Sequence, residues 1–521
     1  MNRRELLHAL SRRAAALAAS QLFAIPISTL RAAPLPAMSN DPFTLGVASG
    51  MPRPDSVVLW TRLAPSPHET LGGLPAAPIE VRWELADDER FALGLRQGKV
   101  QAQPQHAHSV HVEVSGLPSG RSFFYRFMAG DAVSPVGRTR TAPPLDAAVS
   151  RLRIALASCQ HYEQGEYAAH REIAGRDLDL VLFVGDYIYE SSNPRYRIRP
   201  HEGTVPTTLD GYRARHATYK LDPALQAAHA AHPWVLTWDD HEVENDYAGD
   251  RGSARATPEQ FLLRRAAAYK AYFEHLPVAP GMAPVGSAMR IHDRYVWGRL
   301  AELFTLDNRQ YRSRQGCTAD DRAGGRLLNQ CDDFADARRS VFGEAQERWL
   351  ASGLARSDRQ WKLLGQGTQL GPSGLDTPLG RRVFTDGWEG YGPARERLLR
   401  AIAEPGVGNV INLGGDVHRH LASQLRLRHN DPSSPIVASE FVCSSITSRG
   451  LPELATEVMR SGNPDLVHAR SDERGYAFIE ITPAAARCDF RATPFPARLD
   501  VPLVSQAKCL VEAGHAGVRM A

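Results

Sequence analysis

The sequence predicts an α/β layered fold preceded by a small all-β sandwich. Short runs rich in β-branched and aromatic residues crowd positions 42–142. From about residue 150, apolar runs alternate with helix-like stretches, and five of those runs end on a side chain able to bind a cation. At 521 residues the chain exceeds one ordinary domain, so two domains behind an N-terminal segment are expected.

Residues 1–37 read as a twin-arginine export signal. NRRELL carries the paired arginines, and residues 14–30 are mildly apolar. Pro26 interrupts any helix there, and Ala32-Ala33 and Leu35-Pro36-Ala37 offer small-residue cleavage sites. The expectation is passage through the twin-arginine export machinery, giving a periplasmic or secreted mature protein. Residues 1–31 hold five arginines against Glu5, so without them the formal charge of +3 falls close to zero. No broad basic surface for nucleic acid is expected. No later stretch is long and apolar enough for stable membrane insertion.

In the β-rich part, VVLWTRL, IEVRWEL, HSVHVEVSGL and SFFYRFMAG are separated by Pro, Gly, Ser and Asp clusters. That is the pattern of an immunoglobulin- or fibronectin-like sandwich. RTRTAPPLD marks its end near residue 145, and the second domain is placed at 150–521. There LRIALAS, DLVLFVGD, WVLTWDD, LAELFTLD, WKLLGQG and NVINLGGD read as buried strands. PEQFLLRRAAAYKAYFEHL reads as a helix, and RGYAFIEITP with CDFRATPF as a hairpin. The tail, VSQAKCLVEAGHAGVRM, is expected as a helix that shapes access to the site.

Polar residues fall where the strands end. Cys159 follows LRIALAS, Asp186 follows DLVLFVG, Asp239 and Asp240 follow WVLTW, Asp307 follows LAELFTL, and Asp416 with His418 follow NVINLGG. Sites of open α/β sheets gather at the carboxyl ends of the strands. In VGDYIYE, Asp186 can bridge two cations, and Tyr189 can return to one of them as a phenolate. In WDDHEVEND, Asp240 is an oxygen ligand; His241 is a ligand or a cation that stabilises a leaving group. Asn245 reaches the same cleft if the stretch is helical. Asp239 or Asp240 would then cap that helix. In GGDVHRH, an extended backbone puts Asp416, His418 and His420 on one face. Arg309 and Arg312 of LDNRQYR suit phosphate binding, Arg309 being nearer the strand end.

No GxSxG or Walker-type loop is present, so a serine nucleophile has no support. The expected nucleophile is a metal-activated hydroxide, since a dinuclear site acidifies water and neutralises charge on phosphate. Among the cysteines, Cys317 and Cys331 flank a polar loop and make a plausible local bridge, and Cys488 with Cys509 a second. Cys159 and Cys443 are then left over, with Cys443 read as a buried strand residue.

FTLGVASGMPRPDSVVLWTRL, ASCQ, VGDYIYE, WDDHEVENDYAGD, LDNRQYR and NLGGDVHRH occur in one order across nearly the whole mature chain. In that ordered set the chain resembles the PhoD-like alkaline phosphatases, of the metallophosphoesterase superfamily. The resemblance implies a metallophosphoesterase-type two-sheet sandwich flanked by helices. It also implies hydrolysis of phosphomonoesters at alkaline pH, often with phosphodiesterase activity. It implies Fe(3+) on Cys159, Asp186, Tyr189 and His418, with Asp186 bridging to Ca(2+) near Asp240, Asn245 or Asp416. Spacing alone does not choose iron over zinc or another divalent ion. Two other readings compete: a phospholipase D-like phosphodiesterase, and a non-catalytic periplasmic phosphate- or metal-binding protein on a hydrolase fold.

Overall fold

The computed structural model describes residues 40–521 apart from 202, 254, 319, 330 and 430. The export signal expected over 1–37 lies outside the described residues. Strands buried on both faces read as continuous apolar runs. Accordingly Leu180–Val184, Pro233–Thr237, Ala301–Thr305, Trp361–Gly365 and Val410–Gly414 are buried at every position. With Leu152–Ala157 they are the inner strands of two sheets.

The ten-stranded sheet has Leu152–Ala157, Leu180–Val184 and Pro233–Thr237 side by side and parallel at its centre. On one flank stand Glu473–Ile481, Ala485–Pro494, Val504–Glu512 and Arg519–Met520. On the other stand Val47–Gly50, Val57–Arg62 and Ser109–Val114. The seven-stranded sheet runs Ala301–Thr305, Trp361–Gly365, Val410–Gly414 and Ile436–Val442 in parallel. Asp293–Trp297, His420–Arg426 and Leu466–Arg470 complete it.

The sheets share one apolar core, in which Leu156, Leu182 and Phe183 of the first pack with Leu303, Leu363 and Leu413 of the second. Tyr212, Leu225 and Tyr269 bring the helices Leu209–Lys220, Pro223–Ala231 and Pro258–His275 onto that core. Leu350, Leu354, Leu398 and Leu399 bring Glu344–Arg356 and Gly392–Ile402 against Phe304, Leu364 and Val410. The result is the expected two-sheet sandwich flanked by helices. Local chemistry sets the helix starts. Pro258–His275 opens with Pro at its first position and a Thr257–Gln260 capping box; Asp222 caps Pro223–Ala231 by accepting from Ala224 and Leu225 N–H.

The N-terminal strands form two layers around a core that includes Val47, Leu59, Val110, Val81, Phe123 and Tyr125. One layer is a five-stranded sheet containing Ile79–Ala86, Arg96–Ala102 and Ser122–Ala129. The other is the outer end of the ten-stranded sheet itself, so the sandwich and the α/β part share a layer. The C-terminal tail differs from expectation. Val504–Glu512 is a strand paired with Ala485–Pro494, because a period-two buried pattern lets Ala507, Cys509 and Val511 face the core.

The Cys317–Cys331 bridge forms as expected. The second pair does not: Cys488 and Cys509 stand opposite each other across two strands, yet both are free. Cys509 Sγ is turned toward Met520 Sδ, 3.7 Å away. Among the described residues no helix is long and apolar enough to cross a membrane.

Candidate functional site

The carboxyl ends of the parallel strands of both sheets meet at one place. Cys159, Asp186 and Asp240 arrive from the ten-stranded sheet, Asp416 and His418 from the seven-stranded one. The chain turns sharply to deliver them. Cys159, Asp186, Asp416 and His418 all adopt left-handed backbone, with φ of 59°, 57°, 66° and 51°. Such a conformation disfavours residues with a Cβ and persists where the surroundings enforce it. At Cys159 the enforcement is visible: its N–H donates to Gly185 O (3.1 Å), and its carbonyl accepts from Ser448 Oγ (2.8 Å).

Tyr189 Oη lies 2.8 Å from Asp186 Oδ2 and 3.0 Å from His418 Nε2. His418 Nδ1 lies 2.8 Å from the Arg449 carbonyl and donates to it, which leaves Nε2 with a lone pair facing the same point. One phenolic proton cannot serve both acceptors. Cys159 joins them, since donor atoms of Cys159, Asp186 and His418 lie within 4.8 Å of one another. Asp186, Asp240 and His241 form a second such group, so Asp186 is common to both. Asp239 Oδ2 is buried with no hydrogen-bond partner. A thiol, a phenol, an imidazole and a shared carboxylate converging on one point fit a bound cation.

Burial pushes the Cys159 thiol and the Tyr189 phenol well up, and neighbouring Asp186 adds to both. Burial also raises Asp186 and Asp416, with nearby Asp239 and Asp240 acting in the same direction. It pushes His418 down to about 3, which keeps the ring neutral as a ligand requires. Asp240 goes the other way. Burial opposes its charge, but Arg309, His241 and the Asp246 N–H outweigh it and hold the carboxyl low. His241 is likewise penalised by burial, yet Glu190, Asp240 and Asp186 raise it well above its ordinary value. Its Nδ1 lies 2.6 Å from Glu190 Oε2 and its ring 4.1 Å from that of Tyr189.

Several expected residues sit differently. WDDHEVEND forms turns rather than a capped helix. Asn245 is exposed and meets the cluster through its backbone N–H, which donates to Glu190 Oε1 (3.0 Å). The 416–418 segment is a turn, not an extended strand; His420 points into the core, 4.8 Å from Phe490, and accepts from Ser444 N–H. Asp416 Oδ2 instead accepts from Thr368 Oγ1 (2.6 Å). Arg309 is fully buried, bonded to Asp239 through Nε and to Asp386 through Nη1 (3.0 Å). Its Nη2 lies 3.9 Å from Asp240. The guanidinium is thus buried among carboxylates, with Nη2 in an ion pair to Asp386 but without a hydrogen-bond partner; Arg312 is paired with Asp386 (2.5 Å). Asp307 accepts from Trp238, Arg309 and Gln310 and serves the fold. Cys443 is buried beneath the cluster, 3.3 Å from Ser158 Oγ.

Sequence reasoning gives no role to Glu190, Thr368, Asp386 or Arg449. Glu190 closes the VGDYIYE motif, so its position is a signal; Thr368, Asp386 and Arg449 carry none. A cavity of about 300 Å³ opens at the cluster, lined by His161, Tyr189, His241, His418, Ser448 and Arg449 among others.

The sequence and the fold both match known proteins. Residues 154–490 match the family model of the PhoD-like phosphatase, and residues 30–143 that of the PhoD-like phosphatase N-terminal domain. The chain is 40% identical over 492 residues to alkaline phosphatase D of Bacillus subtilis (strain 168), covering 93% of this chain and 83% of that protein. A solved structure of PhoD superposes with a TM-score of 0.89 at 40% identity, covering 93% of each chain. Sequence and fold together place the chain in the PhoD-like phosphatase family.

Proposed function

We propose that this protein is a metal-dependent phosphoric ester hydrolase of the alkaline phosphatase D type. The observation that carries the reading is Asp186, which converges with Cys159, Tyr189 and His418 on one side and with Asp240 on the other. The first donor set suits a transition metal and supports Fe(3+) on Cys159, Asp186, Tyr189 and His418. The second suits a hard cation and supports Ca(2+) near Asp186 and Asp240, with Asp416 close by. When bound, such a pair acidifies water and offsets charge developing on the phosphoryl oxygens.

The chain's own residues do the rest. The Arg449 carbonyl fixes the His418 tautomer, and Arg309 keeps Asp240 ionised. Glu190 accepts from His241 Nδ1–H, and Glu190, Asp240 and Asp186 together favour the doubly protonated ring, whose Nε2–H can then donate to the departing alcohol oxygen. Export by the twin-arginine route is supported by NRRELL and the small-residue sites after it. The two family matches support a division between residues 143 and 154, consistent with domains at 42–142 and 150–521.

Metal analysis with a visible spectrum tests the reading. Ferric thiolate and phenolate ligation colours the protein, and Cys159→Ala removes both the colour and the hydrolysis of nitrophenyl phosphate. A colourless, zinc-only, fully active protein overturns the iron assignment. Faster turnover of phosphatidylcholine than of nitrophenyl phosphate or bis-nitrophenyl phosphate makes it a lipid diesterase instead.

A further inference from the structure

Arg449 has two separate attachments. Its backbone belongs to the site: the N–H donates to Gln164 Oε1 (2.7 Å) and the carbonyl accepts from His418 Nδ1. The residue is exposed and lines the 300 Å³ cavity, and its guanidinium Cζ lies 4.2 Å from the centre of the Tyr196 ring. An arginine over an aromatic face keeps its planar fork free for an oxyanion. Among the described residues no carboxylate pairs with it, although ion pairs are common elsewhere on this molecule. None of the residues lining the cavity is acidic.

The brace beneath Arg449 is itself anchored. Tyr196 lies in a loop, 191–201, whose two ends are gathered by one buried carboxylate. Glu163 is 1% exposed and accepts from Ser192 Oγ (2.7 and 2.9 Å), Asn193 N–H (2.9 Å) and His201 N–H (3.2 Å). Ser191, Ser192 and Asn193 of that loop form a wall of the cavity. Arg195 and Arg197 of the same loop are exposed, and neither has a carboxylate partner among the described residues. A buried acid thus holds in place the loop that carries Tyr196, on which Arg449 rests, and part of the cavity wall.

We propose that Arg449, braced by Tyr196, binds a second anionic group on the alcohol side of the phosphoester. The inference rests on the phosphoester reading above and names its substrate class: esters whose leaving alcohol carries a further oxyanion. A planar guanidinium binds such a group through two parallel N–H···O bonds.

Glycerol 3-phosphate and 3-phosphoglycerate test it, since the second replaces a hydroxymethyl with a carboxylate. Using the full-length metal-loaded enzyme, the ratio of kcat/KM for 3-phosphoglycerate to that for glycerol 3-phosphate is measured in wild type, Arg449→Ala, Arg449→Lys and Tyr196→Ala. The expected result is a wild-type ratio above one and an at least tenfold fall in Arg449→Ala, carried by KM. Arg449→Lys restores part of it, and Tyr196→Ala lowers it less. Raising salt lowers the wild-type ratio but leaves that of Arg449→Ala flat. Bound iron and calcium, measured on each variant, stay at wild-type levels because the residue 449 carbonyl is retained. A ratio that Arg449→Ala does not change overturns the inference alone, as does cleavage of glycerol 3-phosphate only. A wild-type enzyme that cleaves neither ester nor nitrophenyl phosphate overturns the phosphatase reading as well.

Discussion

At His241 the proposed chemistry turns on one proton. Nδ1 is occupied by Glu190, so only Nε2 can serve the leaving group. Replacing His241 with Gln should cut kcat on an alkyl phosphate by about 10²–10⁴-fold. The loss on nitrophenyl phosphate should be far smaller, because nitrophenolate departs without a proton. Equal losses on the two esters would rule out proton donation. Cys159, Asp186, Tyr189 and His418 are legible because each lies in, or directly behind, a short motif at a strand end. Asp386 is not. It meets Arg309 across 77 residues of chain, and no local pattern encodes a pairing at that range. The same holds for Arg309, whose arginine chemistry suggests phosphate while its burial commits it to Asp239 and Asp386.

Between strand ends and turns, space is the limiting quantity. Gly367 lies just past Trp361–Gly365, and a Cβ there would lie 2.7 Å from Asp239 Cγ and 2.9 Å from Asn308. Gly367→Ala should therefore displace Asp239 and cost about 1–3 kcal/mol. Denaturant midpoints together with metal content check this; an unchanged midpoint with full metal would show that the turn can yield. Sequence pattern locates the strands but misjudges the turns at their ends. Asp416 and His418 alternate in sequence as in a strand, yet two left-handed residues make a turn that brings both side chains to the site. Turns of this kind are enforced by contacts from other elements, such as Gly415 N–H donating to Gly367 O (3.0 Å), which periodicity does not carry. The tail shows the converse. Its short-range composition permits a helix, and the exposed edge of Ala485–Pro494 converts it to a strand.

Across the whole molecule, many histidines are buried without charge. His216 is fully buried, both ring nitrogens lack partners, and burial pushes it down to about 3. Its unfolded value is about 6.5. The unfolded chain therefore takes up a proton first, and stability present above pH 6.5 is lost as pH falls toward 3. In His216→Phe this loss is removed. Its stability relative to wild type should rise by up to about 1.4 kcal/mol per pH unit below 6.5. Parallel wild-type and variant curves between pH 7 and pH 5 would contradict it. At this scale the layered fold is legible, because doubly buried strands and amphipathic helices announce themselves in composition. The continuity of the N-terminal strands with the central sheet is not, since it depends on Ser49 pairing with Pro233, which lies far along the chain.

The order of strands, helices and ligand-bearing strand ends is a property of the sequence, because local periodicity and turn chemistry act within a few residues. Which ligands share a cation, which arginine is buried and which is free, and which tautomer His418 adopts belong to the tertiary structure. Those depend on distances of about 3 Å between segments hundreds of residues apart, such as Tyr189 and His418. Only packing two sheets face to face sets distances of that kind.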